Sequence, residues 1–212
     1  GDVLASAGED GSARLWHRGK NEQGSIIRHP GRVFCVAFSA DGENPILATG
    51  CEDGVVRVFN SSGTLIQRFD EHQGQVNAIV WSRNAERSWD FASAGADGTV
   101  RLWRLPEVLW EGGPFPAESL AVLQSGGTKI WSLDSVPDEP LLIAGTENGK
   151  VILWSGGAAM PLGTLDGHHA PVWSVSVGPA GSQLWTGGWD GTVRRWDVSN
   201  AEWMQSGYAV HR

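Results

Sequence analysis

The sequence has 212 residues, with 12 Trp against 6 Phe and 1 Tyr, 29 Gly, and a formal net charge of -8. That acidity disfavours a binding mode built on neutralising phosphates and leans a charged partner toward the basic side. Two cysteines make no disulfide framework, no run approaches 18 apolar residues, and no basic-then-apolar leader is visible.

The chain opens without Met on the strand-like stretch VLASAG and runs into AGEDGSARLW (7–16). The same phrase returns as TGCEDGVVRVF (49–59), SAGADGTVRLW (93–103), AGTENGKVILW (144–154) and TGGWDGTVRRW (186–196). Its Asp or Asn falls at 10, 53, 97, 148 and 190, so one unit of just over forty residues repeats, with one longer interval. Each copy predicts an apolar strand and then a tight Asp-Gly or Asn-Gly turn, read as a two-residue hairpin turn with positive φ values. A strand with period two follows, as in Val100 and Leu102 or Val151 and Leu153. A further strand lies upstream in RVFCVAFS (32–39), QVNAIVWS (75–82), TKIWSLDS (128–135) and PVWSVSVG (171–178). A fourth follows in TLIQRFDEH from Thr64 and PLGTLDGH from Pro161. The result is four antiparallel strands per unit and no helix-length amphipathic stretch. The first unit lacks its inner strand, and the tail AEWMQSGYAVHR (201–212) is expected to supply the last outer strand and a candidate for the missing inner one. Pro and Gly in WEGGPFPAES mark an irregular surface loop at about 106–118.

A forty-residue, four-stranded unit ending in Trp-Asp is similar to the WD-repeat family. The fullest match is GHHAPVWSVSVGPAGSQLWTGGWDGTVRRWD (167–197). Only Trp196-Asp197 is a literal WD and only one Gly-His is literal. Phe59 stands where a Trp is expected, and the fourth unit has Asn148 and no His. The resemblance implies an all-β WD40-type β-propeller over 1–212, made of five four-stranded blades. The pattern fits a closed five-bladed ring and a five-blade portion of a larger one equally.

Two units carry a full polar set: His72, Ser93, Asp97, Trp103 and His168, Thr186, Asp190, Trp196. In the family such residues form a structural network. The repetition argues the same here, because an enzyme needs one nucleophile, and no G-x-S-x-G elbow surrounds Ser93. His29 and Asp53 form a partial set in the second unit. No zinc spacing and no phosphate loop is present, so the expectation is no enzyme, no catalytic residue, no metal and no cofactor. Cys35 and Cys51 read as buried free thiols.

Propellers of this kind resemble interaction platforms, which bind partners on a top face. Carried over, the residues preceding the turn Asp or Asn are Glu9, Glu52, Ala96, Glu147 and Trp189. The inner-strand entries add Arg32, Phe34, Gln75, Asn77, Lys129, Trp131, Pro171 and Trp173. The expected patch is Glu52, Trp131, Glu147, Trp173 and Trp189. It suits a protein or peptide of basic or Pro-containing character, since aromatics anchor and carboxylates pair with Arg or Lys. A cage for methylated lysine is a sharper version of that patch. Neither nucleic acid nor membrane is expected as a partner. The alternative is an architectural domain of a larger chain or complex with no ligand of its own. The setting is expected to be intracellular, in the cytoplasm or the nucleus.

Overall fold

The computed structural model describes residues 3–19, 25–39, 45–83, 89–106, 117–155 and 158–198. They form five antiparallel sheets in chain order. Blade one holds β1 (Val3–Ala7), β2 (Ser12–His17) and β3 (Ser25–Arg28). Blade two holds β4 (Val33–Phe38), β5 (Leu47–Cys51), β6 (Val56–Phe59) and β7 (Leu65–Phe69). Blade three holds β8 (Val76–Trp81), β9 (Phe91–Gly95), β10 (Thr99–Trp103) and β11 (Ala121–Gln124). Blade four holds β12 (Ile130–Ser135), β13 (Leu141–Thr146), β14 (Val151–Ser155) and β15 (Gly163–Leu165). Blade five holds β16 (Val172–Val177), β17 (Gln183–Gly188) and β18 (Val193–Asp197). The fold is an all-β WD40-type propeller architecture. Blade one has no inner strand among the described residues. The expected tail strand at 201–212, and nearly all of the expected loop at 106–118, lie outside them.

The hairpin turn differs from its expected form. Gly11, Gly54, Gly98, Gly149 and Gly191 have φ near +75 to +83, but the preceding Asp or Asn does not. The bonds Gly11 N to Gly8 O (3.3 Å) and Gly8 N to Ser12 O (3.0 Å) define a three-residue loop, a type I turn closed by a left-handed Gly. The Asp has another task. Its carboxylate accepts the amide two residues on: Ser12 N to Asp10 at 3.0 Å, Val55 N to Asp53 at 3.1 Å, Thr99 N to Asp97 at 3.0 Å. An Asx turn satisfies an otherwise orphaned donor. Gly54 is doubly constrained, since a Cβ there would come within 2.6 Å of His72 O.

The core lies between blades. Four apolar clusters join blades one to two, two to three, three to four and four to five. In each, the alternating apolar residues of the strand after the tight turn (Ala13 and Leu15, Val56 and Val58, Val100 and Leu102, Val151 and Leu153) lie in the cluster shared with the next blade. Between blades four and five, Val151 and Leu153 meet Val175, Leu184 and Trp196. Each fully buried Val or Leu contributes about 1.5–3 kcal/mol. Polar ties reinforce the stacking: Trp81 Nε1 donates to Ala37 O (2.9 Å), and Asp134 accepts Val177 N (2.7 Å). Glu71 accepts the amide and hydroxyl of Ser119 (2.8 and 2.7 Å) and pairs with Arg101, pinning the chain as it enters β11.

The two end blades differ from the rest. Leu47, Phe91, Leu142 and Leu184 share one ladder position and are buried, whereas Leu4 at that position is 66% exposed. Val56, Val100, Val151 and Ala13 share another and are fully buried, whereas Val193 is 73% exposed. None of the four clusters links blade five to blade one. Among the described residues, therefore, no buried apolar core joins blades five and one.

Candidate functional site

The full polar sets are networks inside the blades. In blade three, Trp103 Nε1 donates to Ser93 Oγ (2.8 Å), and Ser93 lies 2.7 Å from His72 Nε2. His72 Nδ1 lies 2.9 Å from Asp97 Oδ2. A carboxylate only accepts, so Nδ1 carries the proton. Nε2 is then the acceptor for the Ser93 hydroxyl, and every member is satisfied. Burial pushes the Asp97 carboxyl up. Its bond to the His72 ring, the attraction of that ring and the amides of Gln73 and Thr99 outweigh this and hold it well below the usual carboxylate range. Blade five repeats the chain: Trp196 to Thr186 (2.9 Å), Thr186 to His168 (2.8 Å), His168 to Asp190 (2.9 Å). Ser93 is fully buried and its oxygen already engaged, so no substrate can reach it.

The partial sets fail in instructive ways. His29 Nε2 meets Thr49 Oγ1 (2.8 Å), but its buried Nδ1 has no hydrogen-bond partner among the described residues. Asp53 turns instead to Arg57, at 2.7 and 3.1 Å. Thus the expected His29–Asp53 pair does not form. Burial, then the nearby Arg57, lowers the His29 pKa. In blade four, Ala144 occupies the Ser or Thr position, and the buried Trp154 Nε1 finds no partner among the described residues.

The expected binding face has a backbone cause. In four blades the amide of the residue before the turn Asp or Asn donates to a carbonyl at the inner-strand entry. The pairs are Glu52 to Arg32, Ala96 to Gln75, Glu147 to Lys129 (each 2.9 Å) and Trp189 to Pro171 (2.8 Å). These bonds bring the two residue sets of each blade together at one end. The inner strands then add something that alternation does not predict. The pairing slips by one residue between Val33 and Cys35, Val76 and Ala78, Ile130 and Ser132, and Val172 and Ser174. The extra residues are Phe34, Asn77, Trp131 and Trp173, and a β-bulge re-aims its side chain. Trp131 and Trp173 consequently stack across the blade four–five boundary, with centroids 4.9 Å apart and planes 11° apart. Trp189 meets Trp173 edge-on at 5.3 Å.

Of the five expected patch residues, three tryptophans form one run, with Trp173 49% and Trp189 70% exposed. Glu147 stands on blade four and pairs with Lys129 at 3.4 Å. Glu52 stands on blade two, where it accepts the Arg32 amide (3.2 Å). No hydrogen bond, ion pair or ring contact joins it to the tryptophans among the described residues. The contact between Trp131 and Trp173 leaves no slot for a methylammonium between those rings. Both thiols are free. Cys51 is buried, and the Cys35 thiol, only half-buried by area, is pushed up to about 12 by desolvation.

Repeated blades, buried polar networks and an exposed aromatic run define a β-propeller of the interaction-scaffold class. Among the described residues no group of three His, Cys, Asp or Glu could hold a metal, and no helix is long and apolar enough to cross a membrane. The family model "WD domain, G-beta repeat" matches residues 20–60, 63–104, 117–155 and 159–197. The chain belongs to the WD-repeat family, whose propellers are typically non-catalytic scaffolds for protein interaction. It is 30% identical to the ribosome biogenesis protein WDR12 homolog of Chlamydomonas reinhardtii over 93% of this chain and 40% of that protein. Against periodic tryptophan protein 2 of Arabidopsis thaliana it is 32% identical over 82% of this chain and 18% of that protein. With the small ribosomal subunit protein RACK1y of Oryza sativa subsp. japonica it shares 30% identity over 89% of this chain and 53% of that protein. The chain thus spans about half or less of each of these relatives.

Proposed function

We propose that this chain is a non-enzymatic scaffold that holds a basic or Pro-containing segment of a protein partner on the tryptophan face of blades four and five. The observation that carries the reading is the continuous Trp131–Trp173–Trp189 run with its outer member exposed. A purely architectural domain would gain nothing from leaving so much indole in water, whereas aromatic side chains are the usual anchors of interfaces. Glu147 supplies charge beside the run. Its pair with Lys129 is exposed on both sides, and such a pair is worth about 0–1 kcal/mol, so an incoming Arg or Lys displaces it at little cost. Glu52 extends the acidic rim on blade two. The overall charge favours a protein over a nucleic acid as partner. Relatives named for ribosome biogenesis and for the small ribosomal subunit support membership of a protein complex without naming the partner here.

The test is a peptide array of basic and Pro-containing sequences probed with the parent chain, Trp189→Ala and Glu147→Gln. Trp189→Ala is expected to weaken every bound sequence by about tenfold or more, as loss of an aromatic anchor does. Glu147→Gln is expected to weaken only the basic ones and to flatten their salt dependence. Unchanged binding by both variants would remove this face from the function.

A further inference from the structure

Blade five holds a cavity of about 420 Å³, lined by Trp173, Ser174, Gly187, Gly188 and Trp189. Its walls are two indoles that meet edge-on, with centroids 5.3 Å apart and planes 70° apart. Trp131 stacks on Trp173 from blade four and does not line the cavity, so it fixes the plane of that wall from behind. The floor is bare backbone at two glycines. A Cβ on Gly188 would come within 2.4 Å of His168 Nδ1 and 2.8 Å of Asp190 Oδ1, so the polar network of the blade demands glycine there. A Cβ on Gly187 would meet nothing nearer than Ser174 Cβ at 3.8 Å, so there is room above it.

The cavity offers no free charge. None of the five lining residues is ionisable. Asp190, next to Trp189, has both oxygens engaged: it accepts Thr192 N (3.0 Å), Thr192 Oγ1 (2.7 Å) and His169 N (3.1 Å), and it bonds the His168 ring (2.9 Å). Two residues from Gly187 on the same face, Trp185 pairs with Arg195, whose guanidinium lies 6.0 Å from the centroid of that ring. A Lys or Arg entering the cavity would find no counter-charge on its lining and would approach a like charge. One polar handle remains. Ser174 is exposed, and its hydroxyl makes no hydrogen bond among the described residues.

We propose that this cavity takes a proline ring of the partner segment, with the Ser174 hydroxyl donating to a carbonyl oxygen of the same segment. A pyrrolidine ring is neutral and compact and lies against indole faces. A proline segment is already extended before it docks, so it gives up little conformational freedom on an aromatic-lined surface. A leucine of similar bulk would lose rotamer freedom as well. The assignment rests on the reading of the tryptophan face as the peptide-binding surface, and it divides the work there. Proline enters between Trp173 and Trp189, and the basic residues of the segment pair with Glu147, which stands outside the cavity.

The experiment follows the indole Nε1–H resonances of the 212-residue chain, assigned with Trp173→Phe and Trp189→Phe. Three octapeptides are titrated, alike except for a central run of four prolines, four alanines or four lysines. The proline peptide is expected to shift Trp173 and Trp189 saturably, and the alanine peptide to bind about tenfold more weakly, as loss of an anchor does. Gly187→Val fills the floor. It is expected to weaken the proline peptide by about tenfold and to leave the lysine peptide unchanged, which responds to Glu147→Gln instead. Gly187→Ala adds one methyl in open space and keeps the test available if valine disturbs the blade; it is expected to weaken the proline peptide by about threefold. Equal binding of the proline and alanine peptides overturns the assignment, as does proline binding that survives both Gly187 variants. Lysine binding lost in Gly187→Val also overturns it, by putting the cation in the cavity. In each of these cases a Trp189 shift that Glu147→Gln weakens leaves the peptide-binding face standing. If no peptide shifts either indole, both readings fall.

Discussion

Blades three and four are neighbours with the same strands and the same fully buried central Trp, yet they reach stability by different means. Blade three ties Trp103 through Ser93 and His72 to Asp97, four side chains in one satisfied chain. Blade four has Ala144, Asn148 and no His, and Trp154 Nε1 bonds to nothing described. Trp154 is still fully buried, in the cluster with Leu142, Ala144 and Ile152. Packing alone is therefore sufficient to seat the indole, and the polar chain adds register and entry geometry. Desolvating an N–H without a partner costs about 1–3 kcal/mol, which the contacts around Trp154 must exceed.

The most severe way to probe this contrast is to remove each indole. Trp103→Ala and Trp154→Ala are both expected to cost about 3–5 kcal/mol by denaturant melting, because both empty a large buried volume. A mild effect in blade four alone would contradict packing as its support. Ser93→Ala comes next. It strands both the Trp103 N–H and the His72 Nε2, at an expected cost of about 1–3 kcal/mol. Replacing each Trp by Phe isolates the hydrogen bond, since the volume lost is the same. Trp103→Phe should exceed Trp154→Phe by about 1 kcal/mol. Smallest and opposite in sign is Ala144→Ser, which offers Trp154 an acceptor and is expected to stabilise by up to about 1 kcal/mol.

Acid sharpens the comparison further. The folded Asp97 carboxyl lies below its ordinary value of 3.8. Its stabilisation is therefore fully present above that pH and is lost as pH falls toward the folded value. The lowered His29 works in the same direction from a higher starting point, its ordinary value being 6.5. Hydrogen exchange read blade by blade should show blade two loosening first below pH 6.5 and blade three only below about pH 4, with Asn148 giving blade four no equivalent step. Simultaneous loss in blades two and three would contradict these assignments.

The sequence carried much of this molecule in plain form. Turn residues and period-two strands are local, and His, Ser and Asp recur at a fixed spacing within one repeat, so five units and their internal networks were legible from spacing. Even the missing link in blade four is visible once Ala144 is set beside Ser93 and Thr186. Two local expectations changed in detail. The Asp-Gly turn is a three-residue loop whose Asp accepts an amide, and Asp53 pairs with Arg57, four residues on, rather than with His29.

What spacing could not supply lies between blades. Trp131 and Trp173 are legible in the sequence as inner-strand entries, and only the inner-strand bulge turns them into a stack across two sheets. Glu52 shares a sequence position with Glu147 but stands two blades from it, so the three tryptophans form one run while the two carboxylates stand on different blades. Leu4 and Val193 are as apolar as their buried equivalents, and nothing in their local sequence marks them as uncovered. Turn preferences act over a few residues and the polar networks within one repeat, and both are written in the chain itself. Which face meets which is decided by through-space packing of sheets some forty residues apart, and that is fixed only when the blades stack.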